Sequence, residues 1–506
     1  MDKLLGLKSN EFQSLGYDIK KLSLDVLDRP SKGKLVLMTS INPTPAGEGK
    51  TTLNIGLSMA LNRLGKTAVS CLREPALGPN FGMKGPATGG GKCEVLPTEM
   101  INLHFTGDFH AVTSAHNLLA ALVDNHVFHG NELNVDKVIL KRVMDMNDRS
   151  LRRIQLLNGQ ESGFDLSVTS EIMAILCLSK SLEEMEERLS RMIVAYDHDG
   201  KALMAKDFDA VHGMMRLLNE AIKPNLVKTS EGTPALIHGG PFANIAHGCN
   251  SLLATEMGLR LADFAVTEAG FGADLGAEKF FNIKCRQGNL DVAAVVIVVS
   301  IKALKINGGQ ALEDLDNENL SALEEGFKHL NKHIENCKKF NDNVLITTNV
   351  FDTDTQDELE LFQKTYPEAT LSYAFTQGGQ GVEDLAQQII DKTMVESSSR
   401  FLYPCALNYV DKIKTIAKEL YGASSVEIPQ EVVDQLNALD NQEMQVCIAK
   451  TQYSFSNDPK LLGVPKDFTI KVTGINPCNG AGFVVVRLGN ILTMPGLPKT
   501  PRGLHP

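Results

Sequence analysis

The sequence predicts an α/β protein: a P-loop-type, doubly wound and mostly parallel sheet with a helical insertion, a second α/β domain and a small C-terminal α+β domain. Three observations carry that reading. An apolar run, Leu35-Val36-Leu37-Met38, leads into a glycine-containing loop at 44–52, and an amphipathic segment with Leu53, Ile55, Leu57, Leu61 and Leu64 follows. Short apolar runs then alternate with helix-period segments to about residue 395, as βαβ units do. Beyond about residue 427 the pattern changes to one helix followed by β-rich stretches.

Candidate strands in chain order are 34–41, 67–72, 236–239, 264–268, 294–301, 344–348 and 370–375, with helix-period segments at 111–128, 245–261, 320–338 and 382–393. Asp165 or Ser167 offers an N-cap to the segment 169–180, which has Glu171 in its first turn. Residues 181–222 are rich in charge, show no evident strand pair, and predict a peripheral helical insertion. A helix at 430–439 and strands within 445–455 and 468–492 make the last unit, and the proline-rich end predicts an irregular tail. The expected units are 1–303, 304–427 and 428–506, since 506 residues exceed one core.

Bulk composition narrows the function. A net charge of −11 disfavours nucleic-acid binding, so an anionic ligand must be held by local groups. The longest apolar stretch, 292–301, is half a membrane span and suits a buried parallel strand. The first residues hold too short an apolar core for a signal peptide. Nine cysteines without a C-x-x-C pair argue against a complete disulfide framework, and the expected compartment is the cytoplasm.

The loop reads Thr44, Pro45, Ala46, Gly47, Glu48, Gly49, Lys50, Thr51, Thr52, and its first eight positions are the predicted nucleotide-binding residues. Between a strand and a helix, such a loop turns backbone N–H groups around phosphate oxygens. Lys50 would reach the β- and γ-phosphates and the Thr51 hydroxyl would hold Mg²⁺. Thr44 stands where the motif's first glycine belongs. Arg73, leaving the second strand, is either a bidentate oxyanion clamp or an ion-pair partner of Glu74. Five glycines between 82 and 91 suit either a loop closing over ligand or a plain surface loop. Glu268 ends an apolar strand, where P-loop proteins place a carboxylate for Mg²⁺ or its water; a turn cap is the other reading.

His104, His110, His116, His126 and His129 crowd one segment without zinc-ligand spacing, so polar packing is expected of most of them. Asp108, in a glycine-containing turn among them, is the better catalytic candidate. Asn349-Val350-Phe351-Asp352 resembles a guanine-reading motif but lacks its lysine, which predicts a turn cap. Phe351 and Phe375, both at strand ends, could stack on a flat heterocycle or pack in the core.

Assembled, these segments resemble the formate–tetrahydrofolate ligase (10-formyltetrahydrofolate synthetase) family. The loop at 44–51, Arg73-Glu-Pro, the block 102–110, Arg142-Val-Met-Asp-Met-Asn-Asp-Arg149, and blocks at 170–176, 233–248, 267–280, 449–455 and 493–499 match in order. The resemblance implies ATP-dependent joining of formate to N10 of tetrahydrofolate through formyl phosphate, with Mg²⁺ beside ATP and a monovalent cation such as K⁺. It implies that Lys50 and Arg73 stabilise the transferring phosphoryl group, that Thr52 positions it, and that Asp108 orients the amine or takes its proton. It further implies a pterin sandwich of Phe351, Leu371 and Phe375, a cytoplasmic homotetramer, and a folate that can be polyglutamylated. Phe375 replaces a usual tryptophan, Val350 an arginine and Asn307 a histidine, and the family's acidic tail is missing after Lys499. Two other readings of the same motifs stay open: a regulatory P-loop ATPase, and a non-catalytic relative with a weakened folate site.

Overall fold

The computed structural model describes residues 1–44, 47–82, 87–156 and 159–501. It is a mixed α/β protein with one large, mostly parallel sheet and several small ones. Ten strands give the main path of the large sheet. They are β1 (Phe12–Gly16), β2 (Ile19–Leu22), β3 (Lys34–Ser40), β4 (Ala68–Leu72), β5 (Asn225–Thr229), β6 (Pro234–Ile237), β7 (Phe264–Glu268), β8 (Val292–Val299), β9 (Val344–Asn349) and β10 (Thr370–Ser372). Their spatial order is β1-β2-β5-β6-β4-β7-β3-β8-β9-β10. From β6 to β10 every pairing is parallel, and these seven strands are the seven expected from the sequence.

Period-two alternation builds a core on each side of that sheet. Leu35 and Leu37 of β3 join one apolar cluster, while Val36 and Met38 join another that includes Leu53, Leu57 and Ile389. Helix α1 (Lys50–Arg63) lies in the second cluster with residues Leu53 to Leu61 all buried. The register then sets the site. Glu268 of β7 lies opposite Met38, Ser40 opposite Val298 of β8, and Val299 opposite Thr348 of β9. The carboxyl ends of the central strands therefore finish along one edge, where an α/β sheet binds ligands.

Several parts depart from the expected elements: the helix expected over 245–261 begins at Leu252, and Ser170, not Asp165 or Ser167, caps the helix Glu171–Leu178. Residues 181–222 do contain helices, Leu182–Ser190 and Val211–Leu218, but also an antiparallel pair, Ile193–Asp197 with Ala202–Met204, the first of which also pairs with Val135–Val138. Asp197 makes the turn by accepting the N–H groups of Asp199 and Lys201, a signal hidden beside two charged helices. The β1–β2 hairpin turns through Tyr17 and Asp18, both at positive φ, without the Asn-Gly or Asp-Gly that usually marks such turns. The strand expected at 370–375 stops at Ser372, and Phe375 lies in the short helix Ala374–Gln377.

Near the C-terminus, Gln445–Ala449 and Phe483–Arg487 pair in parallel, with Gly474–Cys478 antiparallel on the other side. Their apolar residues continue the main core cluster, and a fully buried Lys450–Asp274 ion pair of 2.8 Å ties this part to the turn after β7. All nine cysteines are unpaired thiols, seven of them buried. Among the described residues no helix is long and apolar enough to cross a membrane.

Candidate active site

The loop between β3 and α1 is shaped by two glycines in the left-handed region, Gly47 (φ +81°) and Gly49 (φ +74°). A side chain at Gly49 would run into the Asn349 amide. Glu48 folds inward: its carboxylate accepts the Thr44 N–H at 2.9 Å and the Ser300 hydroxyl at 2.7 Å. Thr44 can stand where the motif has glycine because its backbone is not in the left-handed region, and its N–H holds the loop's own carboxylate. Burial raises the Glu48 carboxyl above the ordinary range. Pro45 and Ala46 lie outside the described residues. Gly49 caps α1 through its backbone, so first-turn N–H groups face the loop, as anion-binding helix ends do.

Lys50 donates to Ser40 Oγ and to the Phe271 carbonyl, each at 2.8 Å. Phe271 holds φ +61°, a conformation that bulky residues avoid, so this turn stores strain where it presents its carbonyl. The Lys50 ammonium is enclosed while the residue as a whole is half-buried. Burial pushes its pKa down to about 8, against the pull of Glu268 and Glu48, and Arg73 adds to the fall. Thr51 Oγ1 donates to Glu268, at 2.9 and 3.2 Å from its two oxygens. The hydroxyl and carboxylate named from the motif are therefore adjacent, and together they offer the hard oxygen ligands that Mg²⁺ takes.

Arg73 follows the last residue of β4 and, among the described residues, makes no ion pair with Glu74 or any other carboxylate. A Cβ on Gly270 would lie 3.3 Å from Arg73 Nη1, so the guanidinium flanks the turn that receives Lys50. Glu74 is buried with Oε2 unbonded, and burial, with Asp108 and Asp145 nearby, raises its pKa well above the ordinary value. His247 is buried with neither ring nitrogen bonded and is kept neutral by that burial, with Lys284 and Arg73 adding to the effect.

Asp108 sits elsewhere in character. It opens the helix Asp108–Phe128 at 4% exposure, accepts Lys21 Nζ at 2.8 and 3.0 Å, and accepts Asn225 Nδ2 at 2.8 Å. Both oxygens are engaged, which suits a positioning group better than a free base. The histidines pack structurally: His116 bonds Ser170 Oγ and the Lys141 carbonyl, and His126 accepts the Leu133 N–H. Among the described residues no three His, Cys, Asp or Glu side chains are grouped so as to hold a metal ion.

Phe375 is 58% exposed and lies against Gly90 and Gly91. Phe351 is half-buried, with Lys302 Nζ 5.7 Å from its ring centre. Leu371 is half-buried on β10, paired with Thr348. Asn349 is no simple turn cap, since its amide reaches the Glu48 carbonyl at 3.4 Å; Asp354 caps the turn instead, on the Phe351 N–H. Sequence reasoning missed Ser40, Ser300 and the Phe271 carbonyl, and gave Asn349 only the part of a turn cap. The position of three of them at or just past strand ends was the available signal.

The chain's similarities agree with one another. A family model described as formate–tetrahydrofolate ligase matches residues 1–505. A formate–tetrahydrofolate ligase of Methylobacterium nodulans is 52% identical over 502 residues, covering 95% of this chain and 90% of that protein. One from Pelagibacter ubique is 50% identical over 515 residues, covering 98% and 92%.

Proposed function

Because this chain belongs to the formate–tetrahydrofolate ligase family, we infer that it joins formate to N10 of tetrahydrofolate while ATP becomes ADP and phosphate. The observation that carries the reading is one convergence: Lys50 and Arg73 flank the Phe271 turn beside the Thr51–Glu268 pair, all at the N-terminus of α1.

Formate is a poor acyl donor because its leaving group would be oxide. A formate oxygen attacks the γ-phosphorus of ATP, the bond to ADP breaks, and formyl phosphate results. The folate N10 lone pair then attacks the formyl carbon, phosphate departs with the shared oxygen, and N10 loses its proton. Lys50, fixed by Ser40 and Phe271, faces the charge on the transferring phosphoryl group. Arg73 neutralises the acyl phosphate, and Thr52 positions the phosphoryl oxygens from the first turn of α1. Mg²⁺ held by Thr51 and Glu268 would screen the phosphate charge. A monovalent cation suits the buried, unbonded oxygens of Glu74, Asp145 and Asn147 around the 74–78 turn.

Asp108, held by Lys21 and Asn225, orients the 104–110 turn rather than taking the amine proton. Phe351, Leu371 and Phe375 form the pterin platform, supported by the exposure of Phe375 in the short helix that follows β10. We read the sheet as a P-loop-type doubly wound fold. The units 1–303, 304–427 and 428–506 are functional divisions, since β9 continues the sheet from β8. A cytoplasmic homotetramer is the expected assembly.

The test is an assay of the purified protein with formate, tetrahydrofolate and ATP, following 10-formyltetrahydrofolate and ADP. Formation of both only with all three substrates is expected. ADP release that ignores formate and folate would favour a regulatory ATPase. ATP binding without tetrahydrofolate binding would favour a non-catalytic relative.

A further inference from the structure

Gly89 and Gly90 pair antiparallel with Glu94 and Cys93, making a tight turn in which Gly89 and Gly91 take positive φ. The Phe375 ring rests on that turn. A Cβ built on Gly90 would lie 3.2 Å from Phe375 Cε2, and one on Gly91 2.8 Å from Phe375 Cγ. The two segments are also bonded: the Lys92 N–H donates to the Phe375 carbonyl at 2.9 Å, and Glu231 accepts the Gly379 N–H at 2.8 Å while its neighbour Ser230 donates to the Lys92 carbonyl. The turn also borders the phosphate cradle, since the same Gly90 Cβ would be 3.8 Å from Thr52 Oγ1. Ring and cradle thus both border the point that a Gly90 Cβ would occupy.

We infer that the Gly90–Gly91 turn is a specificity wall of the folate subsite. It closes one face of Phe375, leaves the opposite face for the pterin, and sets the distance between that ring and Thr52. The inference rests on Phe375 being the pterin platform. Positive φ and the nearby Phe375 carbonyl require glycine at Gly91; at Gly90 an added Cβ would stand 3.2 Å from the ring, so the ring must give by a few tenths of an ångström, and a tilted ring stacks poorly.

The experiment is tetrahydrofolate and ATP titration of four proteins: the natural chain, Gly90→Ala, Phe375→Ala and the double variant, each checked by thermal melting. Gly90→Ala should weaken tetrahydrofolate about three- to tenfold, the range of one aromatic contact, with ATP affinity within about twofold. In the Phe375→Ala background the same change should cost less than about twofold, because the ring it displaces is gone. An unchanged tetrahydrofolate affinity in Gly90→Ala, or an equal loss in both backgrounds, overturns the wall. Unchanged binding in Phe375→Ala would instead sink the platform reading, and the wall with it. Should Gly90→Ala not fold, Gly90→Ala/Phe375→Leu is compared with Phe375→Leu; equal folate affinity is expected, and a further loss overturns the inference.

Discussion

Raising the pH should strip charge from Lys50 and loosen ATP. Burial is the main cause of its pKa of about 8, and Arg73 adds to it more weakly than Glu268 and Glu48 oppose it. At that pKa about nine-tenths of the free protein carries the charge at pH 7 and about one-tenth at pH 9. Bound phosphates restore the proton, so the ATP association constant should fall about tenfold between those values. Binding at pH 9 should take up close to one proton, whereas binding at pH 7 should take up almost none. Phosphate groups are already almost fully ionised above about pH 7.5. Calorimetry of Mg·ATP binding in buffers of different ionisation enthalpy measures both quantities. Lys50→Arg, whose guanidinium does not titrate here, should flatten the profile. A constant affinity from pH 7 to 9.5 with no proton uptake would refute the enclosed-lysine argument.

Arg73→Ala should lower turnover at least about 100-fold while leaving the ATP dissociation constant within about threefold, since its guanidinium serves the acyl phosphate; equal losses in both would make it a nucleotide anchor. Glu268→Gln should cost about 100-fold in turnover and raise the Mg²⁺ concentration needed for half-maximal rate, and an unchanged Mg²⁺ dependence would dismiss Glu268 as a ligand. The chain has no tryptophan, so Phe375→Trp creates a single fluorescent reporter on the proposed platform. Its emission should change on tetrahydrofolate addition and its affinity should rise about two- to fivefold from the larger stacking area; silence on saturation would place the folate elsewhere.

The parallel core was legible because strands buried on both faces read as unbroken apolar runs, as in Val292–Val299. Edge hairpins were not. The turn at Tyr17 and Asp18 uses residues with no strong turn signature, and the one at Asp197 depends on a side chain folding back on its own backbone. Within the site, Lys50, Thr51 and Glu268 could be named because side-chain type and strand-loop-helix context fix their roles. The Phe271 carbonyl could not, since a backbone acceptor leaves no trace in residue identity. Asp108 looked free in sequence because Lys21, its partner, precedes it by 87 positions.

The most direct test of the acyl phosphate route uses formate labelled with ¹⁸O in both oxygens. Formyl phosphate requires one formate oxygen to leave with phosphate, so each phosphate formed with 10-formyltetrahydrofolate should carry one ¹⁸O. Product forming at full rate beside unlabelled phosphate would contradict that chemistry.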